Sequence, residues 1–323
     1  MTLTPKHLAA ALALAGIAIL PPAARADWPE KPIRAIVPFA PGGANDVMGR
    51  LMSPEIAKVL GQPIIIENRP GAGGNIGLDY VAKSKPDGHT MLYSATASTQ
   101  NPALYRNLPF DPIKDLQPVF EIAQAPYVIF VNPKLPVRNA AELVDYARRN
   151  PGKLNAASGG LGTQLSVELF RIKNKLSLEI IPYAGTGPSS VAVRTGTADF
   201  AIMDTSAYTG FLAAGQVKAL AVAGEKRLPA LPDVPTAREA GLGDYLAGTL
   251  FGVYMQGATP ADIVQKMNTV GNRIISQPDM IEKLRKFGAE PNPKSVEVFT
   301  KFVHSEIALW KGIVKQANIP YVD

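Results

Sequence analysis

Four short stretches rich in glycine and small polar residues each follow an apolar, strand-like segment and open a helix-like one. They are residues 38–46 (PFAPGGAND), 94–99 (SATAST), 158–164 (SGGLGTQ) and 183–188 (YAGTGP). A helix N-terminus presents unpaired N–H groups and a partial positive charge, and glycine lets a ligand approach the backbone closely. Loops of this composition therefore predict main-chain cradles for an anion such as a carboxylate or a phosphate.

Taken alone, each loop is also compatible with ordinary turn structure, in which Asn45 or Asp46 serves as a helix N-cap. The carboxylate of Asp46 further counts against an anion placed directly on that helix. Asp204 follows the apolar run ADFAIM, so we expect it at the carboxyl end of a strand. There it either accepts a hydrogen bond from a ligand or a water, or caps the next helix. Four such loops in one chain favour a shared ligand cleft.

Motifs for common catalytic and cofactor sites are missing or incomplete. Residues 71–77 read G-x-G-x-x-x-G, one residue longer than the dinucleotide fingerprint, and no loop carries the Gly-Lys-Ser/Thr of a P-loop. The chain has no cysteine and no G-x-S-x-G sequence, and outside the first 26 residues its only histidines are His89 and His304. We therefore expect no cofactor, no metal site and no catalytic residue.

The first 26 residues have the pattern of a secretory signal peptide. Lys6 and His7 precede an apolar or small stretch over residues 8–20, and the sequence ARA at 24–26 fits a cleavage site. This stretch is shorter than the roughly 20 residues that a membrane span needs. We expect cleavage near Ala26 and a mature chain outside the cytoplasm.

The charge of the chain indicates which partners it can bind, and the absence of cysteine indicates how its fold is stabilised. The chain has 33 Lys and Arg against 27 Asp and Glu, a net charge of +6 that falls to +4 without Lys6 and Arg25. The basic residues form no run and are not interleaved with aromatics, so nucleic acid is not an expected partner. Without disulfides, an exported chain of this length must be stabilised by its core, and its length is typical of two domains.

Hydrophobic periodicity predicts an α/β fold in which strands and helices alternate. The first half reads β-α-β-α-β, two strand-like pieces at 116–122 and 126–133 follow, and the alternation then restarts. This repetition indicates two α/β lobes followed by a helical C-terminal third. Predicted strands cover 33–39, 63–67, 89–94, 154–157, 179–183, 198–203 and 217–223; predicted helices cover 47–60, 77–84, 140–150, 165–174, 185–195, 260–276, 279–287 and 295–317. In the last helix we expect Phe299, Phe302, Val303, Trp310, Ile313 and Val314 to form a packing stripe.

Several longer motifs, in combination, resemble those of one family. They are WPEKPIRAIVPFAPGGANDVMGR, PIIIENRPGAGGNIG, AKSKPDGHTML, IPYAGTGPSS, TADFAIMD, LPDVPTAREAG and the closing E-x-x-x-W of Glu306 and Trp310. With these motifs, the chain from Trp28 onward resembles the periplasmic substrate-binding proteins of tripartite tricarboxylate transporters, often called the Bug family.

The resemblance implies a type II periplasmic-binding-protein fold with a ligand cleft between two lobes. It also implies a non-catalytic receptor that captures a small carboxylate, through backbone amides and ordered waters, and delivers it to membrane permease subunits. In the first lobe it implies ligand-binding positions at Phe39, Ala40, Pro41, Gly42, Gly43, Ala44, Asn45, Asp46, Ser94 and Thr96. In the second lobe it implies Ser158, Gly160, Thr163, Gln164, Tyr183, Gly185 and Asp204.

The same resemblance suggests how the lobes divide. We expect lobe 1 to comprise residues 27–124 and 225–323 and lobe 2 to comprise residues 125–224, with hinges near 124–126 and 223–225. We expect the protein to act as a monomer.

Five positions depart from the common family pattern; Ala192 and Leu250 replace a common acidic residue and a common tryptophan, and the other three bear on the ligand. Ala184 stands where a lysine is frequent, Gln164 replaces a frequent histidine, and Leu161 replaces a small polar residue. These changes make the second-lobe loops less polar, which suggests a ligand with a bulkier apolar or aromatic body behind its carboxylate. Two alternatives remain: an exported hydrolase on the same scaffold, and a sensor that passes the bound carboxylate to a membrane receptor.

Overall fold

A mixed sheet of six strands forms one half of the molecule. The computed structural model describes residues 28–205 and 208–322. The strands of this first sheet are β1 (Ile33–Val37), β2 (Ile64–Asn68), β3 (Thr90–Ser94), β4 (Leu116–Pro126), β10 (Gly248–Gln256) and β11 (Glu290–Pro291). Their order across the sheet is β11-β4-β10-β3-β1-β2. Strand β1 runs parallel to β2 and β3, whereas β10 pairs antiparallel with β3 and β4.

Helices cover this sheet through apolar residues at helical spacing. They are α1 (Ala44–Leu60), α2 (Asn75–Ala82), α3 (Ala97–Leu104), α8 (Ala261–Ile275), α9 (Pro278–Lys286) and α10 (Val296–Gln316). In α1, Met48, Met52 and Ile56 follow one another at four-residue intervals and are buried in the same core as Ile33 and Val37. Gly61 ends α1 in the left-handed conformation, as the sequence predicts.

A second mixed sheet of five strands forms the other half. Its strands are β5 (Val128–Val131), β6 (Asn155–Ser158), β7 (Glu179–Pro182), β8 (Phe200–Met203) and β9 (Lys218–Val222). The order is β7-β6-β8-β5-β9, with β6 parallel to β7 and β8 and with β5 antiparallel to β8 and β9. The accompanying helices are α4 (Ala140–Arg149), α5 (Leu161–Asn174), α6 (Thr186–Thr195) and α7 (Thr209–Ala213).

The two sheets share one topology. In each, the first of three parallel strands lies between the second and the third: β2-β1-β3 in one sheet and β7-β6-β8 in the other. The second strand is therefore added on one side of β1 or β6, and the third strand is added on the opposite side. Ligands of open α/β sheets bind in the crevice that this reversal opens at the carboxyl ends of the strands. The predicted two-lobed α/β architecture is confirmed.

Three extended segments are hydrogen-bonded to one another where the chain passes between the sheets. The Tyr127 N–H donates to the Ala247 carbonyl at 2.9 Å, the Ala223 N–H donates to the Tyr127 carbonyl at 2.8 Å, and the Ala247 N–H donates to the Ala223 carbonyl at 3.0 Å. Leu228 and Tyr245 pack in the cores of the second sheet. The predicted division of the chain into lobes at residues 124 and 224 stays a prediction.

Helix α10 packs on both sheets. Phe299 and Val303 are buried with residues of the first sheet, whereas Trp310, Ile313 and Val314 are buried with residues of the second. The predicted packing stripe of this helix is confirmed, with Phe302 only partly buried against the same core.

Strands β4 and β10 and helix α3 differ from the sequence prediction. Residues 123–126 do not separate two strands but continue β4, because Gln124 and Ala125 pair with Leu250 and Thr249 of β10. Strand β10 was not predicted, and helix α3 was expected only as a helix of unstated length after the loop at 94–99. All eight residues of α3 are buried although Pro102 lies inside it, so its surroundings and not its helix propensity stabilise it.

Within residues 28–205 and 208–322, no helix combines the length and the apolar character that crossing a bilayer requires. The predicted signal peptide and its cleavage position at Ala26 lie outside the described residues.

Candidate functional site

The loop after β1 brings an uncapped helix N-terminus to the crevice of the first sheet. Gly43 is the N-cap of α1, and no side chain caps the helix, so the prediction of Asn45 or Asp46 as N-cap is wrong. Asn45 and Asp46 lie two and three residues after Gly43, in the first turn of α1, and both are buried. Gly42 adopts a φ of +81°, which favours glycine and turns the exposed loop of Ala40, Pro41, Gly42, Gly43 and Ala44 onto the helix.

The carboxylate of Asp46 is neutralised within the protein. It accepts hydrogen bonds from Arg50 Nε at 2.8 Å, from the Gly42 N–H at 2.9 Å and from Asn68 Nδ2 at 3.0 Å. The hydrogen bond from the Arg50 guanidinium is the main cause that lowers the pKa of Asp46 to about 2, and the Gly42 and Asn68 bonds add to it. The charge of Asp46 is thus paired with Arg50, which weakens the argument that it would repel a bound anion.

The carboxyl end of β3 lies beside that of β1. Ser94 is buried, and its hydroxyl donates to the Ala95 carbonyl at 3.2 Å. Thr96 is half-buried and is the N-cap of α3 without a side-chain cap bond. Phe39 is half-buried and packs over Gly74, where a Cβ atom would lie 3.2 Å from the phenyl ring.

The loop after β6 carries a buried polar atom without a partner. The hydroxyl of Ser158 is buried and forms no hydrogen bond with the described residues. Gly160 is the N-cap of α5, again without a side-chain cap bond. Thr163 donates its hydroxyl to the Gly160 carbonyl and accepts the Gly159 N–H, both at 2.8 Å, which fixes the loop. Gln164 is half-buried in the first turn of the same helix.

The loop after β7 places a fourth helix N-terminus against the third. The Tyr183 N–H donates to the Ser158 carbonyl at 2.8 Å, and Gly185 is the N-cap of α6 without a side-chain cap bond. A Cβ atom on Gly159 would lie 2.7 Å from the backbone nitrogen of Thr186. Only glycine at 159 allows the starts of α5 and α6 to lie this close together.

Asp204 follows β8 at the carboxyl end of the second sheet, as predicted, and is half-buried. Its charge acts on two buried tyrosines. Burial raises the pKa of the Tyr127 hydroxyl to about 12, and the negative charge of Asp204 adds to this shift. Burial and the same charge also raise the pKa of Tyr208, whose hydroxyl has no partner in hydrogen-bond geometry. Asp204 thus lies near both tyrosine side chains, at the carboxyl end of β8.

Residues that the sequence argument did not single out join the two halves of this crevice. Gln100, in the first turn of α3, lies beside Gly162, in the first turn of α5: a Cβ atom on Gly162 would be 3.2 Å from Gln100 Oε1. The Tyr127 hydroxyl is 3.6 Å from the same position and lies 3.3 Å from Thr249 Oγ1. Gln100 lies just beyond the predicted loop 94–99, in a segment to which no bounded element was assigned, and Tyr127 lies in a predicted strand, so no motif marked them.

The predicted site residues therefore lie in the loops at the carboxyl ends of the strands, in each of the two sheets. Four helix N-termini, those of α1, α3, α5 and α6, open there without side-chain caps. Their N–H groups suit an anion. Of the remaining helices, α4 and α10 are capped by Asn139 and Ser295, whereas α2, α7, α8 and α9 also lack a side-chain cap bond. The four helix starts at the crevice are therefore distinguished by their position at the carboxyl ends of the strands and not by the missing cap alone. Among the described residues, no group of three His, Cys, Asp or Glu side chains is arranged to hold a metal ion.

A family model and the sequence relatives of this chain agree with one another. The model of the tripartite tricarboxylate transporter family receptor matches residues 48–319. Protein BugT of Bordetella pertussis is 33% identical over 311 residues, covering 95% of this chain and 95% of BugT. A protein from the tcbD–tcbE intergenic region of Pseudomonas sp. strain P51 is 34% identical over 295 residues, covering 90% of this chain and 88% of the relative.

Solved structures show the same relationship. A protein of R. palustris with adipate is 34% identical with a TM-score of 0.74, covering 92% of this chain and 100% of its own. MatC of Rhodopseudomonas palustris with bound malate is 34% identical with a TM-score of 0.69, covering 89% and 100%. A solute-binding protein from Polaromonas is 26% identical with a TM-score of 0.81, covering 90% and 99%.

Proposed function

Because this chain belongs to the receptor family of tripartite tricarboxylate transporters, we propose that its four uncapped helix N-termini hold the carboxylate of a small organic acid. The family consists of solute receptors whose partner is a membrane permease, so the chain is a receptor and the hydrolase alternative is not supported. Relatives with adipate and with malate make an aliphatic carboxylate the first class of ligand to test.

The observation that carries the proposal is the set of helix starts without a side-chain cap at the carboxyl ends of both sheets. At α3, the Ser98 and Thr99 N–H groups already donate to the Ala95 and Thr96 carbonyls, so α1, α5 and α6 are the main donors. The starts of α1, α3, α5 and α6 have no side-chain cap, although serine, threonine, asparagine and aspartate are abundant in these loops. Hydrogen bonds from backbone N–H groups to an ionised acceptor are stronger than those between neutral groups. A carboxylate could therefore be bound without a basic side chain.

The proposed roles follow the two halves of the crevice. In the first, residues 39–46 with Ser94 and Thr96 supply the cradle. In the second, Ser158 supplies a hydroxyl that has no partner in the protein, while Gly160, Thr163, Gln164, Tyr183 and Gly185 shape the helix starts and Asp204 accepts a hydrogen bond from the ligand or from water. Leu161 is 43% exposed beside these starts and, with Ala184, leaves an apolar wall for the body of the ligand.

Ligand capture in this proposal requires the two lobes to close. The hydrogen-bonded segments at Tyr127, Ala223 and Ala247 are the hinge. Closure displaces or orders water around the carboxylate, which makes the N–H groups fully effective. The receptor acts as a monomer in the periplasm after cleavage near Ala26, and it hands the acid to the permease.

A thermal-shift screen tests the proposal on the chain from Asp27 onward. The panel contains mono- and dicarboxylates with aliphatic, hydroxylated, amino and aromatic bodies. A ligand of the native state at a hundredfold excess over its Kd adds about 2.7 kcal/mol of stability, so a clear rise in Tm is expected with at least one acid. A preference for aromatic or long aliphatic acids would support the apolar wall, and a preference for citrate-like acids would refute it.

A site variant connects this result to the loop after β1. Gly43→Val places a branched side chain at the N-cap of α1, where a Cβ atom lies 3.4 Å from the Ala40 carbonyl oxygen, so we expect it to abolish the ligand-induced shift. Gly312→Val on α10 is the control, because its Cβ position meets no atom within 4 Å. It should leave the Tm unchanged or slightly higher, because valine is a better helix former than glycine, and it should not change the ligand-induced shift. Unchanged affinity in Gly43→Val would remove the α1 start from the site.

A further inference from the structure

Gln100 is a buried carboxamide that the protein itself leaves without a hydrogen bond. Its residue is 4% exposed, and no described residue forms a hydrogen bond with its side chain. Its backbone N–H donates to the Thr96 carbonyl at 2.8 Å, which places it in the first turn of α3. The Oε1 and Nε2 atoms of Gln100 are not among the fully enclosed polar atoms that lack a partner, so they keep access to the crevice, where water or a ligand can bond to them.

The position of Gln100 is at the meeting point of the two halves of the crevice. Its Oε1 and Nε2 atoms would lie 3.2 Å and 3.8 Å from a Cβ atom on Gly162, in the first turn of α5. The Tyr127 hydroxyl is 3.6 Å from the same point and near Thr249 Oγ1. Because residue 162 is glycine, the space between these polar groups is left open.

We propose that Gln100, assisted by the Tyr127 hydroxyl, is a specificity-determining residue that selects acids with a hydrogen-bonding oxygen group at the end remote from the bound carboxylate. This inference rests on the proposed function, since it takes the carboxylate at the helix N-termini as given. The carboxamide both donates and accepts, so a hydroxyl or a second carboxyl group satisfies it. A hydrocarbon tail leaves it buried and unpaired, and a site of this kind rejects the analogue that lacks the polar group.

Isothermal titration calorimetry with matched acids tests the proposal. Each triplet has one carbon skeleton: an unsubstituted acid, its ω-hydroxy acid and its dicarboxylate, for example hexanoate, 6-hydroxyhexanoate and adipate, over skeletons of about four to eight carbons. In the wild type, at least one oxygen-bearing member of the tightest triplet should bind on the order of 10- to 100-fold more tightly than the unsubstituted acid.

The decisive variant is Gln100→Leu, which keeps similar volume and removes both polar atoms. It should reduce the preference to less than about threefold while leaving the affinity for the unsubstituted acid unchanged or higher. Because Gln100 has no hydrogen bond to lose, the Tm of the ligand-free variant should not fall. Gly162→Ala places a methyl group in the open space and should weaken the oxygen-bearing acids selectively.

Gln117→Leu is the matched control. Gln117 is half-buried on β4, and its Nε2 donates to the Pro118 carbonyl at 2.8 Å. Its replacement should lower the Tm without changing the preference among acids. If Gln100→Leu retains the wild-type preference, or if the wild type prefers the unsubstituted acids, the inference is wrong. If no acid binds to the wild type at all, the proposed function fails and the role of Gln100 fails with it.

Discussion

The buried carboxylate of Asp46 provides a sharp test of the loop that opens α1. Its side chain is 3% exposed and accepts bonds from Gly42, Arg50 and Asn68. Asp46→Asn keeps one acceptor oxygen and removes the charge. The Arg50 side chain is 56% exposed, so its ion pair contributes little beyond a surface pair, and the exposed Gly42 N–H can bond to water. We expect a loss of about 1–2 kcal/mol at pH 7, mainly from the bond to Asn68.

The loss should depend on pH in a defined direction. The Arg50 guanidinium lowers the pKa of Asp46 to about 2 in the folded state, from an ordinary value of 3.8. A carboxyl group with a lowered folded-state pKa stabilises the protein above the unfolded-state pKa, and this contribution is lost as the pH falls through the folded-state value. The difference between wild type and Asp46→Asn should therefore be constant above about pH 5 and shrink between about pH 4 and pH 2.

Urea denaturation of both proteins at pH 7, 5, 4, 3 and 2.5 measures this difference. Asp262→Asn is the matched control, because Asp262 is an exposed first-turn aspartate of α8. Its loss should cost no more than about 0.3–1 kcal/mol through the helix dipole. A difference for Asp46→Asn that stays constant down to pH 2.5, or one no larger than that of Asp262→Asn, would refute the reasoning.

Two further substitutions test other parts of the account. Ser158→Ala removes a buried hydroxyl that has no partner, so the ligand-free Tm should stay the same or rise, whereas the affinity for the carboxylate should fall about 10-fold by calorimetry; a lower Tm with unchanged affinity would assign Ser158 to the fold alone. Lys294→Met leaves the fully buried Glu121, the ion-pair partner of Lys294, without its cation. It should cost about 3 kcal/mol at pH 8 in denaturant titrations. The cost should be smaller at pH 5, since burial raises the pKa of Glu121 and the unpaired carboxyl group takes up a proton; equal costs at both pH values would contradict this account.

The sequence predicted the parts of the fold that local pattern determines. The strands β1, β3 and β6 and the long C-terminal helix follow from apolar periodicity, and the four loops rich in glycine or small polar residues were correctly placed before helices. Strand β10 escaped prediction because it is antiparallel and inserted between β3 and β4, far from both in sequence. Such pairing depends on tertiary contacts and leaves no local signal.

The site shows the same division between local and long-range information. Gly43, Gly160 and Gly185 were predicted from the loops and are the N-caps of their helices. Their role in ligand binding stays a prediction. The ion pair of Asp46 with Arg50, four residues later in the same helix, is a local pattern that the sequence interpretation overlooked, whereas the hydrogen bond from Asn68 comes from β2 and has no local signal. Gln100 and Gly162 lie beside each other only because the two halves fold together.

The central claim is that backbone N–H groups at the helix starts bind the carboxylate, and amide NMR tests it most directly. Uniformly ¹⁵N-labelled protein from Asp27 onward is titrated with the acid that gives the largest thermal shift. The account predicts that the largest amide shifts fall in the first turns of α1, α3, α5 and α6, with smaller ones at the hinge around Tyr127. Largest shifts at the opposite end of the first sheet, in the polar pocket lined by Lys31, Arg34 and His89, would contradict it.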